Sequence, residues 1–175
     1  MPEDLADPSE FRRLMARWAS GVSVVTSRDG ERDYGMTVNA LLSVSLSPPL
    51  LLVSLSSDAD TTPVVERSGA FAVSFLSAAQ RSLSERFART VPPEEKFRDL
   101  AVVRGRLGPA LLEGSLAWAE CRVRSASVAA DHRLILGEVV TTRFGTDAPP
   151  LVFHRSGYAR VLGENTLELP PSRTM

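Results

Sequence analysis

The chain has almost no cysteine: Cys121 is the only one in 175 residues, so no internal disulfide can form and a reducing, cytoplasmic setting is expected. Histidine is nearly as scarce. Cys121, His132 and His154 are the only soft or imidazole ligands, none lies at metal-ligand spacing from another, and no metal site is expected. Lysine occurs once, as Lys96 in a Pro-Pro-Glu-Glu-Lys stretch that reads as loop, an unpromising setting for a Schiff-base nucleophile. Long apolar runs are missing as well. Leu50-Leu51-Leu52-Val53 stops at Ser54, far short of the roughly 20 residues that cross a bilayer, and no secretory leader is expected at the start. Charge of one sign is not in excess, because 20 Lys and Arg stand against 21 Asp and Glu. Nothing in that balance gathers nucleic acid or anionic lipid, and neither is an expected partner. Two motifs are absent too: no Gly-x-Gly-x-x-Gly follows a strand and opens a helix, and no Gly-x-Ser-x-Gly elbow exposes a nucleophilic serine.

What is present is an ordinary globular composition, 43% hydrophobic and 23% charged, in a length that closes one core, so a single domain over 1–175 is expected. Phe11, Leu14, Met15 and Trp18 recur at i, i+3, i+4, i+7 and predict an amphipathic helix with Ser9 as cap and Gly21 as stop. Strands follow at once. Val22, Val24 and Thr26 alternate with Ser23, Val25 and Ser27 up to an Asp29-Gly30 turn, and Tyr34 to Asn39, Leu42 to Leu46 and Leu50 to Leu55 read as further strands. Thr62 as cap and Pro63 in the first helical position open a short helix that Gly69 ends. Ala70 to Leu76 is a buried strand, and Ser77 with Gln80 forms a capping box for a helix reaching about Arg89. Thr90 to Gly108 is expected to be mostly loop. From Ser115 the pattern is β again, with Ala117, Ala119, Cys121 and Val123 on one face, and Leu134 to Thr142 and Leu151 to Leu162 continue it. Seven or eight strands with two or three helices, joined mostly by hairpin-length turns, favour an antiparallel barrel or sandwich over a parallel sheet.

Ser54, Ser56, Ser57, Asp58, Asp60, Thr61 and Thr62 lie between a buried strand and a helix start. Hydroxyls and free amides at the positive end of a helix dipole suit a phosphate monoester. An ordinary solvated loop accounts for the same residues, and the two aspartates favour that account. Gly35 to Ala40 offers small and hydrogen-bonding groups at a strand end, where a flat heterocycle can lie. Asp131-His132 begins a strand, and His154 and Tyr158 flank a turn; taken alone, both are unremarkable. Cys121, amid apolar alternation, reads as inert core.

Taken in order, the segments Ala19 to Thr26, Gly35 to Ala40, Ser43 to Leu50, Ser68 to Ser74, Phe87-Ala88, Glu120-Cys121, Asp131-His132, Leu136 to Val139 and Pro150-Leu151 resemble a known family. It is the flavin reductase family with the FMN-binding split-barrel fold, the reductase components of two-component flavin-dependent monooxygenases. The resemblance runs from about Phe11 to Leu162 and leaves 163–175 as a tail. It implies a mainly β, antiparallel Greek-key split barrel with two or three peripheral helices, assembled as a homodimer. It also implies reduction of FMN, or of FAD, by hydride transfer from NADH or NADPH, with the reduced flavin supplied to a separate monooxygenase. Matched position by position, Thr37, Val38, Asn39 and Ala40 would line the flavin ring and ribityl chain. Ser54, Ser56, Ser57, Thr61 and Thr62 would hold the phosphate, and Phe87, Ala88 and Arg89 would close that end. His132 would be the catalytic residue on the nicotinamide side, with Tyr158 and Lys96 beside it; a solvated loop lysine accounts for Lys96 equally well. Ala130 stands where the family carries glycine before Asp-His, and Ala40 where serine is usual. Two other readings are a split-barrel protein that retains its flavin as a prosthetic group or carries it, and a cofactor-free dimeric interaction module.

Overall fold

A computed structural model describes residues 5–159 and 161. The elements run α1 (Pro8–Met15), β1 (Ser20–Gly21), β2 (Ser23–Asp29), β3 (Arg32–Val38), β4 (Leu41–Leu46), β5 (Pro49–Ser56), α2 (Thr61–Ser68) and β6 (Ala70–Phe75). A 3-10 turn (Ala78–Gln80) then leads into α3 (Arg81–Phe87), α4 (Pro93–Phe97), β7 (Val102–Arg104) and β8 (Ala110–Leu112). The long hairpin of β9 (Ala117–Ala129) and β10 (His132–Phe144) follows, and then a short one of β11 (Val152–His154) and β12 (Gly157–Ala159).

Seven strands form one sheet in the order β3-β2-β6-β9-β10-β5-β4, with every pairing antiparallel. The Ser54 N–H donates to the Ala40 carbonyl at 3.0 Å, so the chain leaving β3 lies along β5 and brings the sheet round on itself. This is the mainly β, antiparallel split barrel of the expected class. Its interior is filled by Val25, Val38, Val53, Leu55, Phe71, Val73, Cys121 and Ile135, and Val65 of α2 joins the same core. Burying each such side chain is worth about 1.5–3 kcal/mol. A second cluster, Val22, Val24, Leu76, Phe87, Leu112 and Leu151, lies on the outer face of β2. That strand is therefore buried along Ser23 to Ser27 on both faces, and its alternation separates two cores rather than core from solvent. Cys121 is fully buried; burial first, and then the charge of Glu120, pushes its thiol up to about 12, so it carries no thiolate at neutral pH.

Several elements differ from the sequence reading. The cap of α1 is Asp7, whose Oδ1 accepts from Ser9 N–H at 2.8 Å and Glu10 N–H at 3.2 Å, with Pro8 in the first turn. Gly21 does not stop that helix; it pairs with Val152 in β1, and the helix has ended by Ala16. Asp60 occupies the N-cap of α2, placing Pro63 beyond the first helical position, while Gly69 ends the helix as expected with φ of 68°. The Ser77–Gln80 capping box is present, but the helix it leads into ends at Phe87. The expected loop after Thr90 contains α4 and β7, and twelve strands and four α-helices replace seven or eight and two or three. The additional strands β1, β7 and β8 are two or three residues long, too short to show a period, and the single strand read from Leu151 onward is the short hairpin of β11 and β12. Leu162 and the tail 163–175 lie outside the described residues. Among the described residues no helix is long and apolar enough to cross a membrane.

Candidate functional site

Thr37 pairs with Val24 on β2, and both turn away from the barrel interior that Met36 and Val38 occupy. The Thr37 hydroxyl donates to the Ser84 carbonyl at 2.6 Å. Ser84 is fully buried on α3, and its own hydroxyl lies 2.8 Å from that of Tyr158. Tyr158 meets the Phe153 ring edge-on at 5.7 Å between centroids, and the Arg81 guanidinium stands 5.1 Å from its centre. Val22, Thr37, Asn39, Ala88, Phe153 and Tyr158 line a cleft of about 300 Å³. Val22 and Asn39 also border a second cleft of about 330 Å³ that runs past Trp18, Leu41 and Phe75. Asn39 is exposed between the two.

The inward set Leu51, Val53 and Leu55 on β5 leaves Ser54 and Ser56 on the outer face, half-buried. Register does the rest. Ser56 is the direct partner of His132 on β10, and Ser57 N–H donates to the Asp131 carbonyl at 2.9 Å. His132 Nδ1 lies 2.8 Å from Asp131 Oδ1, and that hydrogen bond is the main cause holding the Asp131 carboxyl below its ordinary range. Nδ1 is thereby committed, and Nε2 has no hydrogen-bond partner among the described residues. Ala130, where the family has glycine, takes φ of 53°, a left-handed conformation that costs a side-chain-bearing residue about 1–2 kcal/mol.

At the start of α2, Thr61 and Thr62 are buried, and the Thr62 hydroxyl donates to the Ser56 carbonyl at 2.6 Å, tying the helix to the end of β5. Asp60 makes no side-chain cap. Lys96 reaches in from α4, donating to the Gly35 carbonyl at 3.1 Å and the Phe87 carbonyl at 3.5 Å. Burial pushes its ammonium below the ordinary lysine range, and the charge of Asp60 opposes that shift. Gly35 is required here: a Cβ would stand 2.7 Å from Phe87 Cε1 and 3.2 Å from Phe97 Cζ, two rings that meet edge to face.

The expected site residues thus fall into three groups. Thr37, Asn39, Ala88 and Tyr158 share the cleft; Ser54, Ser56, Ser57 and His132 share the β5–β10 edge; Lys96 sits with Phe87 and faces Asp60. Val38 belongs to the barrel core, Ala40 and Arg89 are exposed, and no hydrogen bond among the described residues joins His132 to Tyr158 or Lys96. Ser84 and Phe153 were not singled out by the sequence. Ser84 stands three residues before Phe87 on the apolar side of α3, and that spacing was the available signal.

Residues 15–162 match the family described as flavin reductase like domain. The chain belongs to this family. Among its relatives, the reductase component of 4-hydroxyphenylacetate 3-monooxygenase from Thermus thermophilus is 40% identical over 152 residues, covering 87% of this chain and 95% of the relative. A flavin reductase (NADH) from Kitasatospora aureofaciens is 39% identical over 169 residues, 91% of this chain and 87% of that one. The solved NADH:FAD oxidoreductase of Streptomyces globisporus superposes with a TM-score of 0.84 at 33% identity, covering 93% of this chain and all (100%) of its own. The flavin reductase component of a bacterial two-component tryptophan halogenase gives 0.82 at 33%, covering 89% and 98%.

Proposed function

We propose that this member of the flavin reductase family uses NADH or NADPH to reduce FMN, or FAD, and releases the product to a separate monooxygenase. The observation that carries the proposal is the Ser54-to-Ala40 hydrogen bond. It sets the Thr37–Ala40 strand end and the Ser54–Thr62 segment side by side, with His132 one strand away from Ser56. Their chemistry fits a flavin nucleotide: an apolar cleft wall with an exposed amide at Asn39, then hydroxyls, then an ammonium and a helix start with no side-chain cap. Asp58 and Asp60 oppose a phosphate, and Lys96 offsets them.

In this reading Thr37, Asn39 and Ala40 bind the ring and ribityl chain, and Val38 anchors that strand end in the barrel core. Ser54, Ser56 and Ser57 hold the phosphate with Lys96, the buried Thr61 and Thr62 fix the start of α2 beside them, and Ala88 and Arg89 close that end over the buried Phe87. Bound flavin supplies the hydride acceptor. The protein's share is positioning: Asp131 fixes the His132 ring so that Nε2 faces the nicotinamide, and Tyr158 with Phe153 excludes water along the cleft. Names among the relatives support the reductant and the partner, since one is a flavin reductase (NADH) and another the reductase component of a monooxygenase. Titration of the purified protein is expected to quench FMN fluorescence saturably at micromolar protein. No change in fluorescence or absorbance would favour the cofactor-free module, and protein that purifies yellow and does not exchange its flavin would favour the retained-flavin reading.

A homodimer is part of the same proposal. On α1 Phe11 is 59% exposed and just beyond it Trp18 is 72% exposed, and on the edge strand β4, Leu42 is 58% and Leu46 90% exposed. An apolar edge strand left open invites pairing, and a second copy is the occupant that removes it. Sedimentation is expected to give about twice the 19.0 kDa chain mass, falling to the single mass in a Leu42→Glu, Leu46→Glu variant. A wild-type chain sedimenting as a monomer at micromolar concentration removes the dimer from the account.

A further inference from the structure

We infer that Ser84 is a positioning residue for the nicotinamide step, acting through Tyr158. The inference rests on reading the Thr37–Tyr158 cleft as part of the redox site. Ser84 is 0% exposed, and two of its polar groups reach the cleft: its carbonyl, which also accepts the helical bond from Ala88 N–H at 3.0 Å, accepts from the Thr37 hydroxyl at 2.6 Å, and its hydroxyl pairs with that of Tyr158 at 2.8 Å. Among the described residues it is the one whose hydrogen bonds tie the strand carrying the ring-binding edge to the β11–β12 hairpin carrying Tyr158. That hairpin packs Phe153 and Tyr158 against the second core cluster, and its Arg155 N–H donates to the Ala16 carbonyl at 2.7 Å. It is three residues per strand, pairs within its own sheet only with the two-residue β1, and turns through Arg155 and Ser156 at φ of 51° and 59°. Tyr158 therefore depends on side-chain contacts for its pitch. Arg81, Phe153 and the second core cluster hold the ring, and among the described residues Ser84 alone holds the hydroxyl.

A ring held at both ends presents a fixed wall, whereas one held only by its body can rock into or away from the cleft. Small displacements of a stacking partner are felt strongly in a hydride transfer, because the reacting atoms must sit at near-contact distance. The Thr37 bond runs to the Ser84 backbone, so removing the Ser84 hydroxyl leaves the ring-binding edge in place. The two functions of Ser84 are thus separable by substitution.

The test compares Ser84→Ala, Tyr158→Phe and the double variant. Flavin affinity is read by fluorescence titration, the NADH KM and maximal rate by anaerobic mixing at saturating flavin, and stability of the flavin-free protein by thermal unfolding. Both single variants are expected to lose about fivefold to tenfold in the NADH step, with FMN affinity within about twofold of wild type. The double variant is expected to be no worse than the poorer single one, because both remove the same bond. Wild-type NADH kinetics in Ser84→Ala, additive losses in the double variant, or an equal loss of FMN affinity overturns the inference. Should Ser84→Ala fail to fold, Tyr158→Phe decides by the same criteria of NADH loss and unchanged FMN affinity. A wild-type protein that neither binds nor reduces flavin fails earlier and on different grounds, since it overturns the reading of the site itself.

Discussion

Replacing His132 by Ala is expected to lower NADH-dependent flavin reduction about a hundredfold while changing flavin affinity by less than about threefold. The asymmetry follows from position. His132 lies across from Ser56 at the rim of the outer face of β5, and its side chain is 44% exposed, so its loss leaves neither a core cavity nor an orphaned backbone group. What is lost is an imidazole whose orientation is set by Asp131 at 2.8 Å, with Nε2 left for a ligand. Fixing a nicotinamide ring to within about 1 Å is worth roughly that factor in rate. Stopped-flow measurement at saturating flavin and NADH separates the roles. A well-folded variant with wild-type transfer rate and NADH affinity takes His132 out of the site and leaves Asp131-His132 as a strand terminus.

The second large effect is expected at Lys96. Its ammonium donates to two backbone carbonyls and feels the charge of Asp60, so Lys96→Met removes charge-assisted bonds worth about 1.5–3 kcal/mol together with a positive charge that offsets Asp60. FMN affinity should fall about tenfold to a hundredfold, each tenfold being about 1.4 kcal/mol. Riboflavin, which lacks the phosphate, should bind the variant within about twofold of wild type. Parallel titrations of the two ligands check this. Equal losses for both would make Lys96 a pin between α4 and β3 and nothing more; no loss for either would remove it from the binding account.

The parts of this architecture that were legible in the sequence are those encoded within one or two turns of chain. The Asp29-Gly30 turn, with Gly30 at φ of 58°, announced the β2–β3 hairpin; Gly69 announced the end of α2; Ser77 and Gln80 announced their capping box. Elements shorter than a period left no such mark, which is why the five-residue α4 and the three-residue β7 were hidden in a Pro- and Glu-rich stretch. Periodicity also reports an apolar stripe without saying what covers it. The stripe that predicted α1 was evident, but Phe11 and Leu14 on the helix, and Trp18 beyond its end, are exposed within a single chain.

The candidate site divides in the same way. Thr37, Asn39 and the Ser54–Thr62 cluster were visible because hydrogen-bonding side chains gather at element ends. Ser84 was not, because its partner Tyr158 is 74 positions away, and its spacing from Phe87 marks it as facing the core without saying what its hydroxyl meets. Lys96 was visible as the sole lysine, but its placement against Phe87, Gly35 and Asp60 depends on how α4 folds back on β3. Ala130 shows a different limit. Its left-handed backbone explains why glycine suits that position, yet the β9–β10 hairpin is paired from His132 and Ala129 next to the turn through Leu136 and Ser125 and holds the alanine there.

Anaerobic mixing of a small amount of the protein with NADH and a large excess of FMN, following the flavin's visible absorbance, tests the central claim most directly. Reduction of many equivalents of FMN per chain, with the reduced flavin passing a filter that retains the protein, is the result the account predicts. Reduction that stops at one equivalent per chain and stays with the protein, or no oxidation of NADH at all, would contradict it.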